Sequence, residues 1–464
     1  MILGTRISNP LWSQRPLFTL SYRIYSKLNF FTSPSSAKVS DCLDGDDDFL
    51  PWLCRKAGIE ISSGLSIGKS AHGRSLFASK SIEAGDCMLK VPYDVQIAQD
   101  NLIPEVNSLL SDEVGNVAKL AIIILFEQKM GQHSEWAPYI SRLPQPEEMY
   151  CTIFWSEGEL EMIQQSSVYR ETNKRNTHIE NQFLAAKPAL DLFPGIFGDV
   201  TFKDFKHAYA LVESRAWRST KGVSLIPFAD FLNHDGAAEA VLLSDDSKEL
   251  SEVIADRNYA PGDQVMIRYG KFSNATLLLD FGFTLPRNIY DEVQIQVDIP
   301  HHDHLCAMKL ELLHEHCAPT IKDVNISSSW DSFTIKEVRS AKGKGRGIPQ
   351  SLRAFARVLW STSSQELDEL ATEAARNDGR LARQPLKNTS TEIQAHQFLL
   401  SRITQPIEKY NLSIKALGPP SSPLVFEKLS LRRQMARDLL TGELRVLKSA
   451  SEWLKNYCAS LSAL

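Results

Sequence analysis

Two strand-rich segments separated by a long helical block are the feature that most constrains the fold of this chain. Residues 59–92 contain short extended segments punctuated by glycines, and residues 86–91 indicate a strand that enters a turn at Pro92. Residues 222–283 return to short strands, whereas residues 105–215 have a mostly helical periodicity. The sequence therefore predicts an α+β fold in which short strands alternate with helical blocks.

Capping signals predict several helix boundaries within this pattern. Ser156 followed by Glu159, and Thr201 followed by Asp204, are capping boxes, which satisfy free backbone amides at the start of a helix. The apolar stripe after Thr201 keeps helical spacing, so Arg215 falls near the C-terminal end of that helix. Two further helices are predicted at residues 49–58 and 117–130.

The C-terminal third of the chain has a helical pattern again. Its predicted helices are 349–361, 364–377, 391–411 and 426–458. A chain of 464 residues fits two domains better than one large domain. We therefore expect a domain of short twisted β-sheets over residues 49–290, with a helical insertion at about 105–215, followed by an all-α domain over residues 300–464.

The segment that joins these two domains is rich in side chains that can bind metals. It holds five of the eleven histidines and two cysteines, namely His301, His302, His304, His314, His316, Cys306 and Cys317. Their spacing fits no zinc-binding pattern. We interpret the segment as a solvated linker rather than a metal site, and we predict no bound metal.

The first forty residues differ in composition from the rest of the chain. They carry five basic residues and no Asp or Glu, and they are rich in Ser and aromatic residues. This composition is typical of an organelle transit peptide, and the acidic stretch that starts at Asp41 is a plausible cleavage junction. A disordered tail that lacks acidic residues is the alternative. We predict a transit peptide over residues 1–40.

Charge, hydropathy and cysteine usage exclude several classes of protein. Without residues 1–40 the chain has 46 Lys and Arg against 56 Asp and Glu, a net charge of −10 that argues against nucleic-acid binding. The apolar run of residues 120–126 is too short to span a bilayer, so we expect no membrane partner. The seven cysteines form no CxxC pair, which fits a reduced compartment.

Three separated regions carry residues suited to chemistry. The first is AHGRSLFA at 71–78, the second joins SRAW at 214–217 to LIPFADFLNH at 225–234, and the third joins Tyr269-Gly270 to Asp280-Phe281-Gly282-Phe283. In this order and spacing they closely resemble the SET domain, specifically the plant Rubisco large-subunit methyltransferase-like branch. The C-terminal helices, with LRRQMA and LTGEL at 431–444, look like the substrate-binding domain of that branch.

The resemblance implies an S-adenosylmethionine-dependent protein-lysine N-methyltransferase that acts on a non-histone, organellar protein. It implies a catalytic role for Tyr269 and contacts to the cofactor by a set of residues from all three regions. That set is His72, Gly73, Arg74, Arg215, Asp230, Phe231, Leu232, Asn233, His234, Tyr269, Phe281, Gly282 and Phe283. It also implies a chloroplast stromal location, with the mitochondrion as the alternative, and we expect a monomer whose partner is the substrate protein.

These residue types suit methyl transfer to an amine. A free lysine has a pKa of about 10.4, and burial in an apolar channel beside a cationic sulfonium lowers it, so that the amine can lose its proton. Because the reaction is an in-line displacement, positioning dominates. A tyrosine hydroxyl can orient the neutral amine, and an arginine can pair with a carboxylate of the cofactor.

The chain departs from the family pattern at two positions, and other functions stay open. Ser75 stands where the family usually has a second glycine, and Phe281 stands where it often has a tyrosine. These departures affect the expected cofactor affinity and the number of methyl groups added. A SET-like module that binds a protein without turnover, and a methyltransferase that acts on histidine, are therefore alternatives.

Overall fold

The computed structural model describes residues 2–3, 5–6, 48–70, 73–219, 222–297, 303–317, 332–340, 344–376, 381, 384–418 and 427–463. The chain divides into two compact units. The first comprises residues 1–151, 174–272 and 280–282, and the second comprises residues 152–173, 273–279 and 283–464. Each unit is therefore assembled from segments that are far apart in sequence.

Short strands build the sheets of both units. They are β1 Ile2–Leu3, β2 Thr5–Arg6, β3 Leu65–Ser70, β4 Gly73–Ala78, β5 Cys87–Pro92, β6 Ile97–Ala98, β7 Trp217–Ser219, β8 Gly222–Leu225, β9 Asn233–His234, β10 Leu242–Asp245, β11 Leu250–Ile254, β12 Gln264–Ile267, β13 Glu292–Gln296 and β14 Ser332–Lys336. The first twelve form three four-stranded sheets, with the orders β1-β10-β11-β5, β3-β4-β12-β9 and β2-β7-β8-β6. Each sheet combines strands that precede the helical block at residues 105–215 with strands that follow it.

Fifteen α-helices are present in the described part of the chain. They are α1 Phe49–Ala57, α2 Pro104–Asn107, α3 Asn116–Met130, α4 Ala137–Ile140, α5 Glu157–Glu161, α6 Ser167–Leu190, α7 Pro194–Phe197, α8 Phe202–Arg215, α9 Asn274–Thr276, α10 Cys306–Cys317, α11 Gln350–Trp360, α12 Ser364–Arg376, α13 Thr389–Thr404, α14 Ile407–Ala416 and α15 Glu427–Ser462. None of the helices in these described ranges is both long and apolar enough to cross a membrane.

The predicted helix boundaries are confirmed where capping chemistry sets them. Thr201 accepts a hydrogen bond from the amide of Asp204, whose carboxylate accepts one from the amide of Thr201. The helix that starts there, α8, has Arg215 as its last residue. Helix α1 has Ala57 as its last residue and is followed by Gly58, which adopts φ +64°, a conformation that glycine reaches without a steric penalty. The capping box at Thr201 therefore fixes the start of the helix that ends with Arg215.

The second unit has its own apolar core. The core is built by strand β14, by helices α11 to α15 and by the strand β13 that precedes them in sequence. Within it, the Arg357 guanidinium makes two hydrogen bonds, of 2.5 and 2.8 Å, to the Glu392 carboxylate. Because both groups are buried, each satisfies the charge of the other. This part of the chain is predominantly helical, as the expected α+β fold class requires.

Three details differ from the expectations. The predicted helix 391–411 is two helices, α13 and α14, because Pro406 cannot continue the first one. The joining segment is not simply a solvated linker, since residues 306–317 form α10 and the ammonium of Lys309 is buried against the Leu359 carbonyl at 2.7 Å. The antiparallel pair of β13 and β14 was not predicted either.

Candidate functional site

The segment that contains Asn233 and His234 lies inside the first unit. Residues Ala229–Phe231 form one 3₁₀ turn, and β9 then pairs with β12 in parallel, the one parallel pairing among the described strands. Before the turn, buried Phe228 adopts φ +75°, a region in which non-glycine residues are strained. Such strain persists only where the surrounding structure holds it, and it is concentrated at functional sites.

Tyr269 is held on both its backbone and its side chain. Its hydroxyl donates a hydrogen bond of 2.5 Å to the Leu232 carbonyl, and its backbone amide donates one of 3.0 Å to Nδ1 of His234. Since Nδ1 accepts, the ring proton of His234 is on Nε2. The tyrosine side chain is 3% exposed. Because the hydroxyl donates its proton to the carbonyl, any further hydrogen bond of the phenol oxygen is one that it accepts.

Aromatic rings surround the Tyr269 ring. Trp217 approaches it edge-on at 5.8 Å between ring centroids, and Phe281 lies at 5.4 Å. Phe281 is in turn stacked on Phe272 at 5.8 Å. Rings in these offset and edge-to-face arrangements stabilise one another beyond their area of contact. The Tyr269 ring therefore lies in a buried and largely aromatic surrounding, which also includes the His234 imidazole at 5.0 Å between ring centroids.

Gly282 makes the close approach of this aromatic segment possible. It adopts φ +77°, and a Cβ at this position would lie 2.7 Å from the backbone nitrogen of Cys151. Both observations exclude any other residue without a shift of the backbone. The preceding residues, Leu277–Phe281, form a π-helix, a feature that is frequent at functional sites.

Arg215, at the end of α8, contacts Asp230. Its Nη1 atom lies 3.4 Å from the Asp230 carbonyl oxygen and 3.6 Å from the carboxylate, which accepts a shorter hydrogen bond of 2.9 Å from the Tyr139 hydroxyl. The Nε atom of Arg215 is buried and has no hydrogen-bond partner among the described residues. A carboxylate of a ligand would provide a hydrogen-bond acceptor for this Nε atom.

The strand β4 brings Gly73 and Arg74 to the same region. Gly73 adopts φ +89° and has open space where a Cβ would point. The Arg74 guanidinium lies 5.4 Å from the centre of the Phe231 ring, and the Arg74 carbonyl accepts a hydrogen bond of 3.4 Å from the Asn233 amide. Backbone atoms of β4 are therefore next to the segment that contains β9.

The structure brings most of the predicted site residues together in the first unit. Arg74, which follows Gly73, contacts Phe231 and Asn233. Arg215 contacts Asp230. Leu232, His234 and Phe281 contact Tyr269, and Gly282 directly follows Phe281. Phe283 belongs to the second unit, where its amide donates to the Leu277 carbonyl at 3.4 Å. His72 lies outside the described residues.

Three residues of this site were not predicted from the sequence. Trp217 lies in the SRAW motif at residues 214–217, but no function was predicted for it, although its ring packs on Tyr269. Tyr139 has no local sequence signal, because its function as a donor to Asp230 depends on a contact across 91 residues. Phe228 is unusual only in its backbone angle, which sequence does not reveal.

Comparison with protein-family models identifies two domains. The model described as SET domain matches residues 73–270, and the model described as Rubisco LSMT substrate-binding matches residues 300–447. The chain is 27% identical over 434 residues to the chloroplastic ribulose-1,5 bisphosphate carboxylase/oxygenase large subunit N-methyltransferase of Nicotiana tabacum, covering 87% of this chain and 80% of that protein. It is 26% identical over 442 residues to the actin-histidine N-methyltransferase of Papio anubis, covering 89% and 69%.

A solved structure has the same fold. It is the SET domain of LSMT bound to lysine and AdoHcy, with a TM-score of 0.71 and 21% identity, and the match covers 91% of this chain and 94% of that one. The fold expected from the sequence is therefore confirmed, and so is the resemblance on which it was based. Residues 73–270 therefore match a SET domain and residues 300–447 match a Rubisco LSMT substrate-binding domain, which supports the predicted resemblance to that branch of SET-domain proteins.

Proposed function

We propose that this protein is an S-adenosylmethionine-dependent protein-lysine N-methyltransferase that acts on a non-histone, organellar protein. The single observation that supports this most is the buried Tyr269, whose hydroxyl is held by a carbonyl among aromatic rings. The relative from Nicotiana tabacum is an N-methyltransferase, and the solved LSMT structure contains lysine and AdoHcy. Because this chain matches the SET domain as well, we propose the same activity for it.

The first unit has residues that fit the cofactor. Among the described residues, none offers a hydrogen-bond acceptor to the buried Nε of Arg215, and none occupies the space beside Gly73. We assign Arg215 to the cofactor carboxylate, the backbone of Gly73 and Arg74 to close contact, and Asn233 to a hydrogen bond. When bound, S-adenosylmethionine supplies the methyl group on a sulfonium. The remaining proposed contacts come from His72, Asp230, Phe231, Leu232, His234, Phe281, Gly282 and Phe283.

Tyr269 orients the acceptor amine. Since its own proton is donated to the Leu232 carbonyl, the phenol oxygen accepts a hydrogen bond from the neutral amine and fixes its lone pair in one direction. The surrounding rings exclude water, and desolvation lowers the pKa of an entering lysine, which favours the neutral amine. Positioning of this kind is the main contribution that an enzyme can make to a displacement on carbon.

Histidine is the second candidate for the acceptor residue. The relative from Papio anubis is an actin-histidine N-methyltransferase, and it matches almost the whole of this chain. An imidazole is neutral near pH 7, so it needs no help from a desolvating channel. A phenol oxygen that accepts a hydrogen bond suits either acceptor. We propose lysine first, because the apolar surrounding of Tyr269 provides the desolvation that an amine requires.

We further propose that residues 300–464 bind the substrate protein and that the protein acts in the chloroplast stroma. The family model at residues 300–447 is a substrate-binding domain, and the relative from Nicotiana tabacum is chloroplastic. The acid-free composition of residues 1–40 supports import into an organelle. Among these residues only 2–3 and 5–6 are described, as strands β1 and β2.

Two measurements test the proposal. Titration calorimetry with S-adenosylhomocysteine should show binding to the purified protein. Incubation with S-adenosylmethionine and a stromal extract from a plant that lacks this protein, followed by mass spectrometry, should reveal a methylated lysine that is absent with the Tyr269→Phe variant. A methylated histidine in the same experiment would select the second candidate. Cofactor binding without any methylated product would leave a protein-binding module.

A further inference from the structure

A buried group of charges lies next to the candidate site within the first unit. Arg175, on α6, is 3% exposed. One end of its guanidinium lies 2.7 Å from the Asp280 carboxylate, and the other lies 3.3 Å from the carboxylate of Glu213 on α8. The side chains of both acids are also largely buried. A single arginine therefore joins the segment of Asp280 to helix α8.

Each of the two acids lies beside a residue of the candidate site. Glu213 precedes Arg215 by two residues on the last turn of α8. Asp280 directly precedes Phe281, whose ring packs on Tyr269 at 5.4 Å. The arginine thus ties the end of the helix that carries Arg215 to the segment that carries Phe281. The proposed function assigns cofactor contacts to both elements, and the Phe281 ring also packs on the proposed catalytic residue Tyr269.

The segment that follows Asp280 has little freedom to adjust on its own. A Cβ at Gly282 would lie 2.7 Å from the Cys151 amide nitrogen, and the Cys151 thiol contacts the Asp280 carbonyl at 3.8 Å. The backbone between Asp280 and Gly282 is therefore closely packed, and the Arg175–Asp280 ion pair lies one residue away from the Phe281 ring.

We propose that Arg175, Glu213 and Asp280 are positioning residues, which fix the position of Arg215 relative to Phe281. This positioning requires the ionised form of Glu213. The inference rests on the proposed function, since it describes the regulation of that same site. With Glu213 charged, the arginine is shared between two carboxylates and both elements are held. With Glu213 neutral, the arginine pairs with Asp280 alone and the end of α8 is released.

The surroundings of Glu213 bring its ionisation into the neutral range. Burial raises its pKa from 4.5 to about 7, Arg175 opposes this shift, and Asp280 adds to it. Three other titratable groups interact with the charges of this cluster, and the shift of each pKa favours its neutral form. Burial raises the pKa of Tyr209 and that of Cys151, and it lowers the pKa of His178. Both ion pairs of Arg175 are therefore formed at about pH 8, and the pair with Glu213 is lost at about pH 6.

Comparison of wild type with Glu213→Gln at several pH values tests the proposal. The carboxamide has the shape of the protonated acid and cannot ionise, so the variant reproduces the low-pH form at every pH. S-adenosylhomocysteine affinity, measured by calorimetry, should be about tenfold weaker in the variant at pH 8 and equal to that of wild type at pH 6, since loss of register of about 1 Å has effects of this order or larger. Asp199→Asn, which removes an exposed ion pair with Lys129 in the same unit, should show no such change.

A readout without ligand separates this inference from the proposed function. Hydrogen exchange of peptides that cover residues 209–217 and 280–283 should be faster in Glu213→Gln than in wild type at pH 8, and the two should coincide at pH 6. Arg175→Lys, which keeps the charge but cannot span both acids, should exchange faster than wild type at pH 8. Failure of wild type to bind S-adenosylhomocysteine would overturn the proposed function, whereas differences in exchange that do not change with pH would overturn the positioning role.

Discussion

Replacing Glu443 with glutamine should change how the stability of the second unit depends on pH. Glu443 lies on α15 and is 2% exposed. Its carboxylate lies 2.7 Å from the Ser166 hydroxyl and 3.0 Å from the Tyr410 hydroxyl. Burial raises its pKa from 4.5 to about 8, the two hydroxyls oppose this shift, and the charge of Asp291 adds to it. The folded protein therefore holds a proton on Glu443 at pH 7.

The hydrogen-bond network accommodates this proton. The Tyr410 hydroxyl lies 2.9 Å from the Gln165 carbonyl, to which it can donate its own proton. A protonated Glu443 then donates to the Tyr410 oxygen and accepts from Ser166, so that every donor has an acceptor. The unfolded chain releases the proton at about pH 4.5. Between these two pKa values folding is coupled to proton uptake, and the free energy of unfolding falls as the pH rises.

The magnitude follows from the two pKa values. Each pH unit between them is worth about 1.4 kcal/mol, so Glu443 should remove about 4 kcal/mol of stability between pH 5 and pH 8. Its contribution is complete below pH 4.5 and is lost as the pH rises towards 8. Glu443→Gln keeps the size and hydrogen-bonding capacity of the neutral acid and cannot ionise. The variant should match wild type at pH 5 and exceed it by about 4 kcal/mol at pH 8.

Thermal unfolding measured at pH 5, 6, 7 and 8 is the appropriate assay. For a unit of about 200 residues, 4 kcal/mol corresponds to a difference in Tm of about 10 °C. Glu408→Gln, an exposed carboxyl on the same helix as Tyr410, is the control and should show no difference that grows with pH. A variant that is less stable than wild type by the same amount at every pH would refute the reasoning, since it would mean that Glu443 is ionised in the folded state.

Further predictions concern the site, the second unit and the N-terminus. Tyr269→Phe should lower kcat by about 10²–10⁴-fold with little effect on S-adenosylhomocysteine affinity, because the hydroxyl acts on the acceptor amine. Asn233→Ala should weaken that affinity by up to about a hundredfold in calorimetry, because a buried polar group of the cofactor loses a partner worth about 1–3 kcal/mol. Gly442→Ala should lower stability by about 1–3 kcal/mol in thermal unfolding, since the new Cβ would lie 2.0 Å from the Asp291 carboxylate. Deletion of residues 1–40 should leave a folded, soluble protein whose Tm falls by about 2 °C or less.

Controls and contrary results for these predictions follow from the same contacts. Gly158→Ala, on a helix with open space around the added Cβ, should not destabilise the protein as Gly442→Ala does. An unchanged kcat in Tyr269→Phe would remove that hydroxyl from the reaction, and unchanged binding in Asn233→Ala would remove the amide from cofactor contact. Aggregation of the truncated chain would mean that strands β1 and β2, which pair with β10 and β7, are essential to the fold.

Local sequence was sufficient for the parts of the site that single segments determine. The capping box at Thr201 and the helical stripe after it place Arg215 at the end of α8, where the structure has it. The cofactor contacts of Asn233 and His234 were implied by the resemblance of the motif at residues 225–234 to the SET domain, and they stay a prediction. Such predictions succeed because cap geometry and side-chain periodicity depend on a few neighbouring residues.

Contacts between distant segments could not be predicted in the same way. Arg175 meets Glu213 across 38 residues and Asp280 across 105, and none of the three belongs to a pattern in which the spacing indicates an ion pair. The same limit applies to domain boundaries. Residues 152–173 lie inside the predicted insertion, yet they cluster with the C-terminal helices, where the Glu159 carboxylate pairs with Arg432 at 2.7 Å.

The departure at Ser75 shows how strand geometry decides the effect of one residue. Successive side chains in a strand point to opposite faces, so Ser75 and Arg74 face opposite ways on β4. Arg74 faces the Phe231 ring, whereas Ser75 is fully buried and its hydroxyl accepts a hydrogen bond of 2.7 Å from the Gln264 amide on β12. Ser75 does not adopt a positive φ, so its backbone does not need glycine. We therefore expect Ser75→Gly to leave S-adenosylhomocysteine affinity unchanged in calorimetry and to lower stability, because the Gln264 amide loses its partner; tighter binding by the variant would contradict this interpretation.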